Sequence, residues 1–206
     1  MAMKRAAWIL SAFAFGPGAT AWAAEPKSAL EALARLKPSS GPTLVAEVEA
    51  TEAACRGKLR HELRDHPGLL AEVERRLNAG ALEDQRAILE LERCFSAPKL
   101  RPLLEKALGI EGLTPLAAEI AGRFEDPVYV APLLAAFIGK KAECLKVKAE
   151  DPAAEACVWL VYALGPSVKK AGAGTKAEVK KELDGLNTAA HPKLKEVLAE
   201  TLKSAR

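Results

Sequence analysis

His61, Asp65 and His66 are the first residues whose types suggest chemistry, since two imidazoles and a carboxylate close in sequence are ligands that zinc prefers. Their spacing argues against a metal. His61 and His66 lie five apart, off a common helix face, and a site would need further ligands from another segment. An exposed histidine and a helix-end histidine ahead of Pro67 is the simpler account. Glu47, Glu49, Glu52 and Glu62 suggest paired carboxylates for acid–base work, but alternating charge along an exposed helix explains them as well. No G-x-S-x-G, phosphate-binding glycine loop or C-x-x-C occurs, and the glycine-rich piece from Ala171 to Thr175 follows no expected strand. Trp159 and Tyr162, at helical spacing, read as core rather than as the wall of a ligand pocket. The expectation is a protein that is not an enzyme, with no catalytic residue, cofactor or metal.

The four cysteines point to oxidation rather than catalysis. They allow three pairings. Cys144–Cys157 is favoured because it closes a short polar loop onto the first turns of the next helix, which leaves Cys55–Cys94 by exclusion. If 43–65 were one straight helix, Cys55 would sit roughly 12 Å along its axis from the level of Cys94, too far to bridge. A break at Gly57 removes that difficulty. Disulfides imply an oxidising compartment, and the N-terminus agrees. Lys4 and Arg5 precede an apolar run from Ala6 to Phe15 and the small-residue pattern Ala21-Trp22-Ala23, which predicts a secretory signal peptide over 1–23 cleaved after Ala23. The run is too short to span a bilayer, which needs roughly twenty residues. The mature chain, 24–206, is expected to be one periplasmic or secreted domain without a membrane span.

The elements that hold these residues show a repeat. Leu100, Leu103, Leu104, Ala107 and Leu108 follow i, i+3, i+4, i+7, i+8, as do Val130, Leu133, Leu134, Phe137 and Ile138, and Leu194, Val197, Leu198, Thr201 and Leu202. A proline precedes each stripe, at 98, 127 and 192, where a helix tolerates the missing N–H. Pro102-Leu103-Leu104 recurs as Pro132-Leu133-Leu134, so two copies of a helical hairpin occupy about 82–139. Leu69, Leu70, Val73 and Leu77 mark an earlier hairpin, with Asn78 and Gly80 as its stop. Gly139 to Asp151 reads as a polar extended connection. Asp151-Pro152 opens the most apolar helix, expected to be central and to stop at Gly165-Pro166, ahead of a stunted helix. The hairpin over 175–206 reads as a polar cap.

The segment A-x-E-I-A-G-R-F-x-D-P-x-x-x-x-P-L-L-x-A-F, with Ala118, Ala121, Gly122, Asp126, Pro127, Leu133 and Leu134 at the matching places, resembles the short HEAT-like repeat of the bilin-lyase type. The resemblance is good over about 86–138. It raises the alternative of a lyase-like or chromophore-handling protein, although it supplies no catalytic residue here.

The expected fold is all-α, a right-handed α-solenoid of four or five stacked helical hairpins. Half the residues are hydrophobic but only 5% aromatic, a balance that favours close-packed helices over sheet. The 30 basic and 27 acidic residues include two basic ones in the leader, so the mature chain lacks the basic bias of a nucleic-acid binder. The lysines after Gly165 read as a solvated surface. The expected function is that of a scaffold holding a protein or peptide on the concave face made by the second helices, through Arg75, Lys99, Arg101 and Glu105.

Overall fold

The computed structural model describes residues 23–148, 150–151, 153–188 and 191–206. The expected leader, up to residue 22, and Pro152 lie outside them. The described residues form helices joined by short turns, with no strand among them. The helices are α1 (Ala29–Leu36), α2 (Gly41–Arg56), α3 (Arg60–Leu63), α4 (Pro67–Ala79), α5 (Leu82–Leu89), α6 (Ala97–Leu108), α7 (Thr114–Phe124), α8 (Val130–Cys144), α9 (Ala153–Lys169), α10 (Ala173–Asp184) and α11 (Pro192–Ser204). Tighter 3₁₀ turns occupy Glu90–Cys94, Pro127–Tyr129 and Gly185–Thr188.

Proline and short polar side chains start these helices. Proline occupies the first turn of α2, α4, α6, α7 and α11, where its fixed φ suits the helix and its missing N–H removes no bond. His66 and His191 each accept a backbone N–H through Nδ1, from Gly68 at 3.1 Å and Leu194 at 3.2 Å. The imidazole stands in for the usual cap oxygen. α2 ends at Arg56 and Gly57 follows it, the expected break, and Gly80 follows α4.

With the one-turn α3 set aside, next-but-one neighbours pack together except α5 and α7, and most helices also touch a sequence neighbour. α1 touches α4, α4 touches α6, α6 touches α8 and α8 touches α10. The alternate series joins α2 to α5 and the 90–94 turn, then α7 to α9 and α9 to α11. Between α5 and α7 this second series is thin, because α5 is only eight residues long and gives way to the 90–94 turn. α9 lies at the centre of the C-terminal half, against α7, α8, α10 and α11. Small residues let it approach closely: a Cβ on Gly122 of α7 would lie 3.2 Å from Cα and Cβ of Ala163.

Three expectations are corrected. α8 runs on to Cys144 through the stretch read as an extended connection. The polarity of that stretch belongs to an exposed helix face, and Lys141 there pairs with Glu182 of α10 at 2.9 Å. α9 continues through Gly165-Pro166 to Lys169. The Thr201 hydroxyl donates to the Val161 carbonyl at 2.8 Å, and burial of Leu164 and Val168 offsets the bond that proline removes. Among the described residues no separate stunted helix follows α9: α10, from Ala173 to Asp184, is the first limb of the expected last hairpin and α11 the second. Ile138 faces out at 48% exposure and Tyr162 at 43%. Tyr162 rests edge-on against Trp159 with ring centres 5.5 Å apart, on the surface of α9 rather than in its core.

Cys55 stands beside Cys94 and Cys144 beside Cys157 at disulfide distance, with Cα separations of 5.4 and 5.5 Å. This is the pairing expected from the sequence. No helix among the described residues is long and apolar enough to cross a membrane.

Candidate functional site

α4 and α6 pack together, and Lys106 Nζ of α6 donates to the side-chain Oδ1 of Asn78 on α4. On these helices Arg75, Lys99 and Glu105 are exposed, as expected. Arg75 forks onto Glu72 of its own helix, Nε to Oε2 at 2.9 Å and Nη2 to Oε1 at 2.6 Å. Arg101 departs from expectation: it is half-buried, and its buried Nε has no hydrogen-bond partner. No ion pair joins any two of the four among the described residues. His61, Asp65 and His66 do not converge. His61 is exposed, His66 caps α4, and Asp65 accepts the Ser96 N–H at 2.6 Å while donating its own N–H to the Cys94 carbonyl at 2.9 Å. Asp65 adopts φ 55° to do so.

The more built site was not expected. Where the second series thins between α5 and α7, a cleft of about 480 Å³ opens among α2, the 90–94 turn and α7. Glu49, Glu52 and Arg56 enter it from α2, Glu90, Glu92 and Arg93 from the turn, and Arg123 from α7. The turn is held from behind by Cys94, bonded to Cys55, and by the Asp65 N–H. A smaller cavity of about 330 Å³ shares Glu92, Arg93 and Arg123 and adds Arg64, Phe95 and Phe124.

Glu92 is the centre of the arrangement. It is 4% exposed. Its Oε1 receives Arg123 Nη1 at 2.5 Å, with Arg93 Nε 3.9 Å away, while its Oε2 is buried without a partner. Arg123 also donates to Glu119 at 2.8 Å, and Glu52 holds Arg56 and, at 3.4 Å, Arg93. Burial raises the Glu92 carboxyl above the ordinary value of 4.5, more than the nearby Arg123 lowers it, and Glu90 is raised in the same sense by desolvation in the cleft.

A carboxyl with a raised folded pKa stabilises the fold fully below its unfolded pKa, and that contribution is lost as pH rises through the folded value. Glu92→Gln removes this loss. Urea unfolding followed from about pH 4 upward to pH 8 is therefore expected to show the variant gaining stability relative to the parent as pH rises. A constant difference across that range would refute the assignment.

Of the carboxylates weighed in the sequence, only Glu49 and Glu52 line the cleft. Glu47 approaches Arg35 at 3.8 Å instead, and Glu62 is exposed on α3. Nothing in the spacing of Glu90, Glu92, Arg93 and Arg123 brings them together. The available signal was Glu92 itself, three residues after Leu89 and three before Phe95, a charged residue on an otherwise apolar register. No family model, curated protein or solved structure matches the chain.

Proposed function

We propose that this chain is an exported, non-enzymatic scaffold of HEAT-like hairpins, stacked as a right-handed α-solenoid, that binds a protein or peptide partner. The observation that carries the reading is that, with the one-turn α3 set aside, the helices pack on next-but-one neighbours in two alternate series, the second interrupted between α5 and α7. That connectivity suits a stack of repeats, in which each unit buries its neighbour's apolar face and the outer faces stay available for a partner. The contact surface is the paired face of α4 and α6, where Arg75, Lys99 and Glu105 are exposed and Arg101 has a donor to spare. The two cysteine pairs at disulfide distance are compatible with an oxidising compartment, as is the expected leader.

The test is affinity capture of the mature chain from the envelope extract of its own cells. Mass spectrometry and an absorption spectrum of the eluate provide the readouts. A stoichiometric protein partner, lost when Arg75, Arg101 and Glu105 are together replaced by alanine, is the expected result. Capture unchanged by the triple replacement overturns the surface. A bound chromophore in place of a protein overturns the scaffold in favour of a lyase-like or carrier protein.

A further inference from the structure

The cleft on α2, the 90–94 turn and α7 lies on helices other than α4 and α6, so its role stands apart from the partner surface proposed above. Its charges do not cancel. Four carboxylates and three guanidinium groups line the larger cavity, and each guanidinium is already committed: Arg56 to Glu52, Arg93 to Glu52, and Arg123 to Glu92 and Glu119. Among the described residues Glu49 and Glu90 have no ion pair, and Oε2 of Glu92 is buried with no hydrogen bond. A buried carboxylate oxygen without a donor costs free energy that a suitable donor recovers. The surplus in the larger cavity is thus acceptor capacity and negative charge.

The smaller cavity has the opposite balance, with Arg64, Arg93 and Arg123 set against Glu92 alone. This confines a cation to the larger cavity. Among the described residues no three His, Cys, Asp or Glu side chains stand where they would hold a metal ion, so the arrangement suits a cation that brings its own N–H donors. Its volume of about 480 Å³ fits a small organic ligand rather than a bare ion.

We propose that this cleft is a binding site for an organic cation, an alkylammonium or guanidinium head group that donates to Glu90 and to Oε2 of Glu92. The same chemistry is presented by an arginine or lysine side chain of a polypeptide and by a free amine, and two probes separate these sources. The experiment titrates the mature protein with Nα-acetyl-arginine amide, with putrescine, and with Nα-acetyl-citrulline amide, an uncharged analogue of the arginine probe. Amide and side-chain NMR shifts are followed at fixed ionic strength. Saturable shifts at Glu90, Glu92 and Arg93 with at least one cationic probe, and none with the citrulline probe, are expected. Tighter binding of the arginine probe assigns the site to a side chain, and tighter binding of putrescine assigns it to a free amine.

Glu90→Gln leaves the fold intact, because Glu90 is exposed and makes no ion pair among the described residues, and it is expected to weaken the cation at least about tenfold. Glu92→Gln is expected to do the same. Arg64→Ala, which touches only the smaller cavity, is expected to leave cation binding unchanged or to strengthen it. Equal binding of the arginine and citrulline probes overturns the proposal. So does unchanged affinity in Glu90→Gln, or the absence of saturable shifts up to about 10 mM.

Discussion

Replacing Arg76 with alanine is expected to cost about 3–5 kcal/mol, because it breaks a buried charge network that joins three helices. Arg76 is almost wholly buried in α4. Its Nε donates to Glu72 at 2.8 Å, its Nη1 to Asp84 of α5 at 3.0 Å, and its Nη2 to the carbonyls of Leu36 and Ser39 at 2.8 and 2.6 Å. Asp84 also accepts the Gly41 N–H, at the start of α2, at 2.8 Å. One guanidinium therefore fastens the α1–α2 turn to both α4 and α5. Alanine would leave the Glu72 carboxylate buried with only Arg75 to neutralise it, would take the guanidinium donor from the Ser39 carbonyl, and would leave the Leu36 carbonyl only the Ser39 N–H.

The pH dependence of that penalty distinguishes the network from simple loss of packing. Desolvation opposes ionisation of Glu72, but the hydrogen bonds from Arg75 and Arg76 prevail and hold its carboxyl below 4.5. A depressed folded pKa contributes stability above the unfolded value and loses it as pH falls through the folded one. The cost of Arg76→Ala measured by urea unfolding is therefore expected to be largest at neutral pH and to shrink below about pH 4. A penalty that stays constant across that range would mean that the missing side-chain volume, not the charge, accounts for it. Glu72→Gln in the Arg76→Ala background is expected to recover part of the loss at neutral pH, by removing the exposed consequence of the deletion, a buried carboxylate short of donors.

Much of the fold was legible because it depends on local rules. The stripe from Leu100 to Leu108 is buried along α6 as its spacing requires, and prolines 98 and 192 stand at helix starts. Gly57 ends α2 early enough for Cys55 to reach Cys94. What could not be read depends on partners distant in sequence. Pro166 is tolerated inside α9 in a turn packed on Thr201 of α11, a contact no local window contains. The cleft escaped notice for the same reason. Glu52, Glu92 and Arg123 come from three segments, and each alone resembles an ordinary surface charge. Arg76 likewise has a surface residue's composition and a core residue's position. Periodicity identifies which face a residue occupies, but whether a charge on that face is buried depends on which helix covers it.

Removing the Cys55–Cys94 pair by double replacement with alanine is expected to cost about 4 kcal/mol, and removing Cys144–Cys157 about 3 kcal/mol, since the cross-linked loops differ in length. The separations are 39 and 13 residues, and a longer loop restricts the unfolded chain more. The native state adds a second difference. Cys144–Cys157 joins the last residue of α8 to the first turns of α9, helices already packed together along their length. Cys94 instead closes the 90–94 turn, whose short 3₁₀ geometry offers few bonds of its own. Without the bridge that turn retains the Asp65 N–H on the Cys94 carbonyl and the salt bridge from Arg123 to Glu92. Loss of Cys55–Cys94 is therefore expected to raise amide hydrogen exchange at 90–94 above that of the rest of the chain, whereas loss of Cys144–Cys157 leaves those amides protected. Unfolding of both double variants and the parent, with peptide mapping of the unreduced parent to read the connectivity, checks each part. Bridges between other cysteines would remove the premise. Equal exchange at 90–94 in the two variants would show that the ion pairs, rather than the disulfide, hold the floor of the cleft.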